Sequence, residues 1–144
     1  MRYRLNKKGE VVKSMAGSEA ALQKGCVRWF DLQYSKLSPL MYHVPNGGTR
    51  NIREAAQFKL MGVRPGVADL ILLYPGKLGH VLCIEFKTDT GRQSSDQYNW
   101  QVAAQDAGNG YFLCRSIEDF IRVVQEHLKE SPIFHPTWKE NKFF

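Results

Sequence analysis

Two apolar runs of strand length, residues 67–74 and 80–87, flank the turn Pro75-Gly76-Lys77-Leu78-Gly79, and three charged residues are set inside them. This pattern predicts a β-hairpin. Strand side chains alternate between faces. In the second run Leu82, Ile84 and Phe86 share one face, so Glu85 and Lys87 point to the other. In the first run Leu70, Leu72 and Tyr74 mark the apolar face, and Asp69 lies opposite them. Pairing Asp69 with either Glu85 or Lys87 leaves a loop of about five residues or fewer, and gathers all three charges at one end of one face. The other positions on that face are Ile71, Leu73, Val81 and Cys83, so it too is expected to be covered.

Charges in a covered apolar setting are costly unless paired, and adjacent carboxylates repel. One lysine does not neutralise two carboxylates. A divalent cation does, and carboxylate oxygens suit magnesium or manganese. The competing arrangement is a buried bridge from Lys87 to one carboxylate, with the other at the solvent edge. The shared parity of the three charges and their place in a hairpin favour the cation.

With 144 residues, 43% of them hydrophobic and 24% charged, the chain is expected to form one domain with its own core. Lys plus Arg number 20 against 14 Asp plus Glu, a formal charge of +6, which favours a polyanionic partner such as nucleic acid. No run approaches the ~20 apolar residues of a membrane span, and the N-terminus lacks an apolar leader-type segment. Cys26, Cys83 and Cys114 fall inside predicted elements without CxxC spacing, as expected of reduced core thiols in a cytoplasmic protein. His43, His80, His127 and His135 are scattered, which argues against a histidine metal site. No GxGxxG or GxxxxGK[ST] loop is present.

Along the chain, residues 1–14 form a basic arm with Arg2, Arg4, Lys7, Lys8 and Lys13, expected to be solvated and partly disordered. Ser18 caps a helix running to about Tyr34, with Leu22, Cys26, Trp29 and Phe30 on its buried stripe. Glu19 sits in its first turn at the inner edge of that stripe, where a carboxylate also favours the helix dipole. A short strand over Leu40 to Val44, a Pro45-Asn46-Gly47-Gly48 turn and a helix over about 51–61 precede the hairpin. After it, Ser94 and Gln97 have capping-box spacing, and the helix they open should stop at Gly108. Tyr111 to Arg115 reads as the last strand, and Ser116 caps a helix bearing Phe120, Ile121, Val124 and Leu128. Residues 131–144 form an aromatic tail with Phe134, Trp138, Phe143 and Phe144, expected to pack on the domain or across a dimer. Alternating helices and strands around an antiparallel hairpin imply an α/β fold with a mixed sheet of about four strands flanked by helices.

Asp69 followed by Glu85-Phe86-Lys87 resembles the PD-(D/E)XK nuclease core. Arg64-Pro65-Gly66-Val67, Thr88-Asp89-Thr90-Gly91-Arg92, Ser95, Gln97 and Cys114-Arg115-Ser116 extend the resemblance to the VRR-NUC branch found in phage and repair nucleases, over most of residues 18–128. Ala68 stands where the family name has proline, a backbone element and not a ligand. The resemblance implies a restriction-endonuclease-like core in which Asp69, Glu85 and the Phe86 carbonyl hold Mg²⁺ or Mn²⁺, with Glu19 direct or through water. Lys87 would orient or deprotonate the attacking water, or neutralise the transition state. Gln97 would orient water or phosphate beside Lys87, in competition with its plain capping role. Asn46, Gly47, Gly48, Arg50, Arg53 and Arg92 become candidate nucleic-acid contacts, the glycines by letting backbone amides approach phosphate.

Together these features imply a metal-dependent deoxyribonuclease of a phage or bacterial host cytosol. By analogy with small standalone members of the branch, it is expected to act as a homodimer on branched DNA such as four-way junctions. The alternatives are a catalytically inactive binding module of the same fold and a nuclease directed at RNA.

Overall fold

A computed structural model describes residues 3–5, 11–13, 18–45 and 51–129, the first two segments by their backbone alone. The elements are β1 (Tyr3–Leu5), β2 (Val11–Lys13), α1 (Glu19–Gln33), β3 (Met41–His43), α2 (Ile52–Leu60), β4 (Leu70–Leu72), β5 (Leu82–Phe86), α3 (Ser95–Asp106), β6 (Gly110–Cys114) and α4 (Ile117–Leu128). A short 3-10 turn, Ser38–Leu40, leads into β3. From α1 onward the order of helices and strands is the one the sequence predicts. The turn at Asn46, Gly47 and Gly48, the position of Arg50 and the tail 131–144 lie outside the described residues.

Each helix begins where a side chain accepts a hydrogen bond from the exposed amides of its first turn. Ser18 Oγ accepts from Ala21, Asn51 Oδ1 from Glu54, Ser94 Oγ from Gln97 and Ser116 Oγ from Asp119. Helix α3 ends at Ala107, and Gly108 follows with φ 85°, the left-handed turn-off expected of a C′ glycine.

The main sheet has the order β3-β4-β5-β6. Strands β3, β4 and β5 are mutually antiparallel, and β6 joins β5 in parallel. Alternation sorts the side chains as predicted. Leu70, Leu72, Leu82, Ile84 and Phe86 face α1 and α4, whose Cys26, Phe30, Phe120 and Val124 complete one fully buried core. The Phe86 and Phe120 rings lie 6.0 Å apart at its centre. Ile71, Cys83 and Tyr111 face the other way, under Trp100 of α3. The three cysteines are free and buried, and burial raises each thiol pKa.

Two expectations are corrected. The connection between β4 and β5 spans residues 73–81 and exceeds the five predicted, because the strands separate after Leu72 and their link docks elsewhere. Lys77 N–H donates to the His127 carbonyl at the end of α4, and His80 N–H to Gly108 at the end of α3. Only Gly76 and Gly79 pair at the tip. Leu73, assigned by parity to the covered face, is 55% exposed, since it lies in this diverging segment. Within the basic N-terminal arm, Tyr3–Leu5 and Val11–Lys13 form an antiparallel pair that the sequence reading did not single out. Its short apolar and β-branched positions were masked by the surrounding basic residues.

The link is held by a buried histidine. His127 is fully buried, and its Nε2 lies 2.8 Å from the Tyr74 carbonyl, so Nε2 carries the proton and donates. Its Nδ1 has no partner among the described residues, and burial lowers the pKa from the ordinary 6.5 while the Tyr74 bond opposes that shift. A depressed histidine pKa means that the unfolded chain takes up a proton first as the pH falls. The stability from neutral His127 is therefore complete above about pH 6.5 and declines below it. Urea denaturation is expected to show wild-type stability falling relative to His127→Gln as the pH is lowered from about 7.5 to 5.5, whereas parallel curves would exclude this role.

Candidate active site

The register Leu70↔Ile84 places the residue before β4, Asp69, opposite Glu85. That choice between the two predicted pairings is reinforced by a direct bond: the Phe86 N–H donates to Asp69 Oδ2 at 2.8 Å. The Asp69 carboxylate is thus fixed against the main chain between the second acidic residue and the lysine. β5 lies inside the sheet, and Lys87 N–H prolongs its parallel ladder by donating to Cys114. Glu85 and Lys87 emerge on the α3 side, only 2% and 8% exposed.

Glu85 Oε1 receives the Gln97 amide at 2.7 Å and lies 3.5 Å from Lys87 Nζ. Gln97 also completes the capping box of α3, its Oε1 accepting from Ser94 N–H at 2.9 Å. Opposite ends of one amide thus cap α3 and hold the Glu85 carboxylate.

The second oxygen, Glu85 Oε2, is buried and has no hydrogen-bond partner among the described residues. Burial raises the Glu85 pKa from 4.5 to about 7, with Asp69 adding to the rise, Lys87 opposing it and Glu19 contributing a smaller rise. One desolvated carboxylate oxygen beside a second carboxylate is a donor set that suits a hard divalent cation. No group of three His, Cys, Asp or Glu side chains converges to a metal-holding distance among the described residues. Magnesium needs no such cage, since it commonly binds through one or two carboxylates and keeps several waters.

Glu19 is exposed at the start of α1, and its carboxylate borders the Thr88–Gly91 loop: a Cβ on Gly91 would lie 3.4 Å from Glu19 Oε1. Arg115 holds this loop, its Nη1 donating to the carbonyls of Thr88 and of Gly91, the latter at 2.8 Å. Arg53 on α2 and Arg92 after the loop are both exposed.

Two further residues surround Asp69. His43 Nδ1 lies 2.7 Å from the Asp69 carbonyl and 3.0 Å from the Gln23 side-chain amide. The Gln23 atom in contact is Nε2, so Nδ1 either donates its proton to the Asp69 carbonyl or, unprotonated, accepts from Gln23, and the tautomer decides between the two. No spacing rule connects residues this far apart in the chain, so sequence patterns gave no sign of them. Beside Asp69 and Gln97 opens a groove of about 550 Å³ between α2, residues 63–67 and the start of α3.

A mixed sheet with two acidic residues and a lysine at the end of its central hairpin, covered by helices on both faces, defines a nuclease-type fold. A VRR-NUC domain model matches residues 17–118, and the chain belongs to that family. A solved structure described as a VRR_NUC domain protein superimposes with a TM-score of 0.70 at 27% identity, covering 83% of this chain and 93% of that one. Comparison with curated proteins returned no match. No helix among the described residues is long and apolar enough to cross a membrane.

Proposed function

We propose that the protein is a metal-dependent endonuclease that hydrolyses DNA phosphodiester bonds. The observation that carries this is the buried, unpartnered Glu85 oxygen, set beside Asp69 in a site that also holds Lys87 and Gln97. Asp69, Glu85 and the Phe86 carbonyl would hold Mg²⁺ or Mn²⁺, with Glu19 reaching it directly or through water. The cation would supply Lewis acidity and stabilise charge on the scissile phosphate.

The remaining work falls to the chain itself. Gln97 and Lys87 fix the rotamer of Glu85, and Phe86 N–H fixes Asp69. Lys87, largely shielded from solvent, brings an ammonium to the nucleophile or to the phosphoryl oxygens. Arg53 and Arg92, with Asn46, Gly47, Gly48 and Arg50, would contact the phosphates of the substrate. Low sequence specificity follows if contacts are to backbone, and a homodimer would present two such sites to the strands of a branched junction. The cytoplasm of a phage host or bacterium is the compartment this reading implies.

Incubating the full chain with four-way-junction DNA, with and without Mg²⁺, tests the activity. Cleavage is expected only with metal, and Lys87→Ala should slow it on the order of a hundredfold or more while Mn²⁺ binding persists. Metal-independent binding without cleavage, unaffected by Lys87→Ala, would instead indicate an inactive module, and cleavage confined to RNA would reassign the substrate.

A further inference from the structure

The groove beside the carboxylates combines cationic residues with an apolar wall. It starts at Asp69 and Gln97 and runs between α2 and the N-terminus of α3, with Phe58, Val63, Pro65 and Val67 as apolar lining. Its volume of about 550 Å³ falls in the range of cavities that enclose one small organic ligand. Val63 remains 38% exposed, so this apolar lining is open to solvent. Lys59 and Arg64 contribute charge, and Ser94 and Asp96 contribute polar groups.

Lys59 and Arg64 can meet phosphates, but a sugar-phosphate strand gains nothing from the Phe58, Val63, Pro65 and Val67 wall between them and the carboxylates. A paired base within a duplex is stacked on its neighbours and does not enter a side slot. An unpaired nucleobase has apolar faces and a polar edge, which matches apolar walls ending in hydrogen-bonding groups. On the premise that the adjoining carboxylates are a nuclease centre, we propose that this groove receives the unpaired nucleobase flanking the scissile phosphate. The enzyme would then cut DNA where one nucleotide can leave the stack. Preference for branched or distorted DNA would follow from this slot, since such sites have already lost the stacking that a perfect duplex must give up.

The test uses the full chain, Mn²⁺ and three end-labelled duplexes of one sequence: fully paired, with a single unpaired nucleotide, and with an abasic site replacing that nucleotide. Wild type is expected to cut beside the unpaired nucleotide on the order of tenfold faster than the paired duplex, and the abasic change should remove most of that gain. Ala55→Trp, at an exposed position bordering the groove, fills the slot, and Val63→Asp sets a carboxylate on its wall. Both variants should lose the preference while keeping the Mn²⁺-induced rise in Tm that reports a folded chain and an intact metal site. Equal cutting of paired and unpaired duplexes by wild type, an abasic substrate cut as fast as the unpaired one, or variants that retain the preference would overturn the proposal. Should wild type cut none of them, the nuclease assignment fails separately. The slot is then judged by 2-aminopurine at the unpaired position, whose fluorescence should change on binding wild type and not Ala55→Trp; identical responses overturn it.

Discussion

Glu85→Gln is expected to reduce metal-dependent hydrolysis on the order of a thousandfold or more, while making the metal-free protein more stable at pH 8. The two effects share one cause. In the native chain the Glu85 pKa is raised from 4.5 to about 7, chiefly by burial and next by Asp69. A raised carboxyl pKa means that stability is complete below about pH 4.5, is lost as the pH climbs through about 7, and stays lost above it. The shift corresponds to roughly 3 kcal/mol at alkaline pH. Glutamine does not ionise, yet keeps an oxygen to accept the Gln97 amide, so the variant avoids that cost. Divalent cations should raise the wild-type Tm at pH 8 and leave Glu85→Gln nearly unmoved, because only the carboxylate rewards their binding. Thermal melts at pH 5 and pH 8, with and without Mn²⁺, check all of this. A variant no more stable than wild type at pH 8 without metal would show that Glu85 is adequately solvated or paired.

Gly66→Ala is the second substitution with a large expected effect. Gly66 has φ 79°, a left-handed conformation that penalises any Cβ. Space forbids one as well: a methyl group there would overlap the Asp96 carbonyl and lie 2.7 Å from the Gln97 nitrogen. The loop before β4 thus packs backbone to backbone against the first turn of α3. Alanine should cost at least about 2 kcal/mol in stability. Its displacement falls on the segment that carries Gln97, so activity should drop further than the loss of folded protein explains. Comparing the specific activity of the soluble folded fraction with a denaturation curve separates the two contributions. Wild-type activity per folded molecule would mean that the α3 terminus tolerates the shift.

The legible parts of this structure are those governed by alternation and capping. Asp69, Glu85 and Lys87 share a parity, and the register Leu70↔Ile84 converts that parity into proximity. Ser18, Ser94 and Ser116 mark helix starts because the orphan amides behind them need an oxygen. What was not legible depends on contacts between distant segments. The docking of the hairpin tip on His127 lengthened the β4–β5 link and exposed Leu73, and neither follows from the two runs themselves. His43 beneath Asp69, and Arg115 across the Thr88–Gly91 loop, join residues that no local period relates. The groove lies between three separate segments, so no single stretch announces it. Charge balance pointed towards polyanions without marking where on the surface they would lie.

The Gln97 amide has a consequence beyond geometry. Its oxygen is committed to Ser94 and its nitrogen to Glu85, so the side chain has no spare rotation with which to satisfy one without the other. Fraying of the opening turn of α3 therefore removes one of the two contacts that hold Glu85, leaving the Lys87 pair as the other. The start of α3 and the placement of the buried Glu85 carboxylate are here coupled through one side chain.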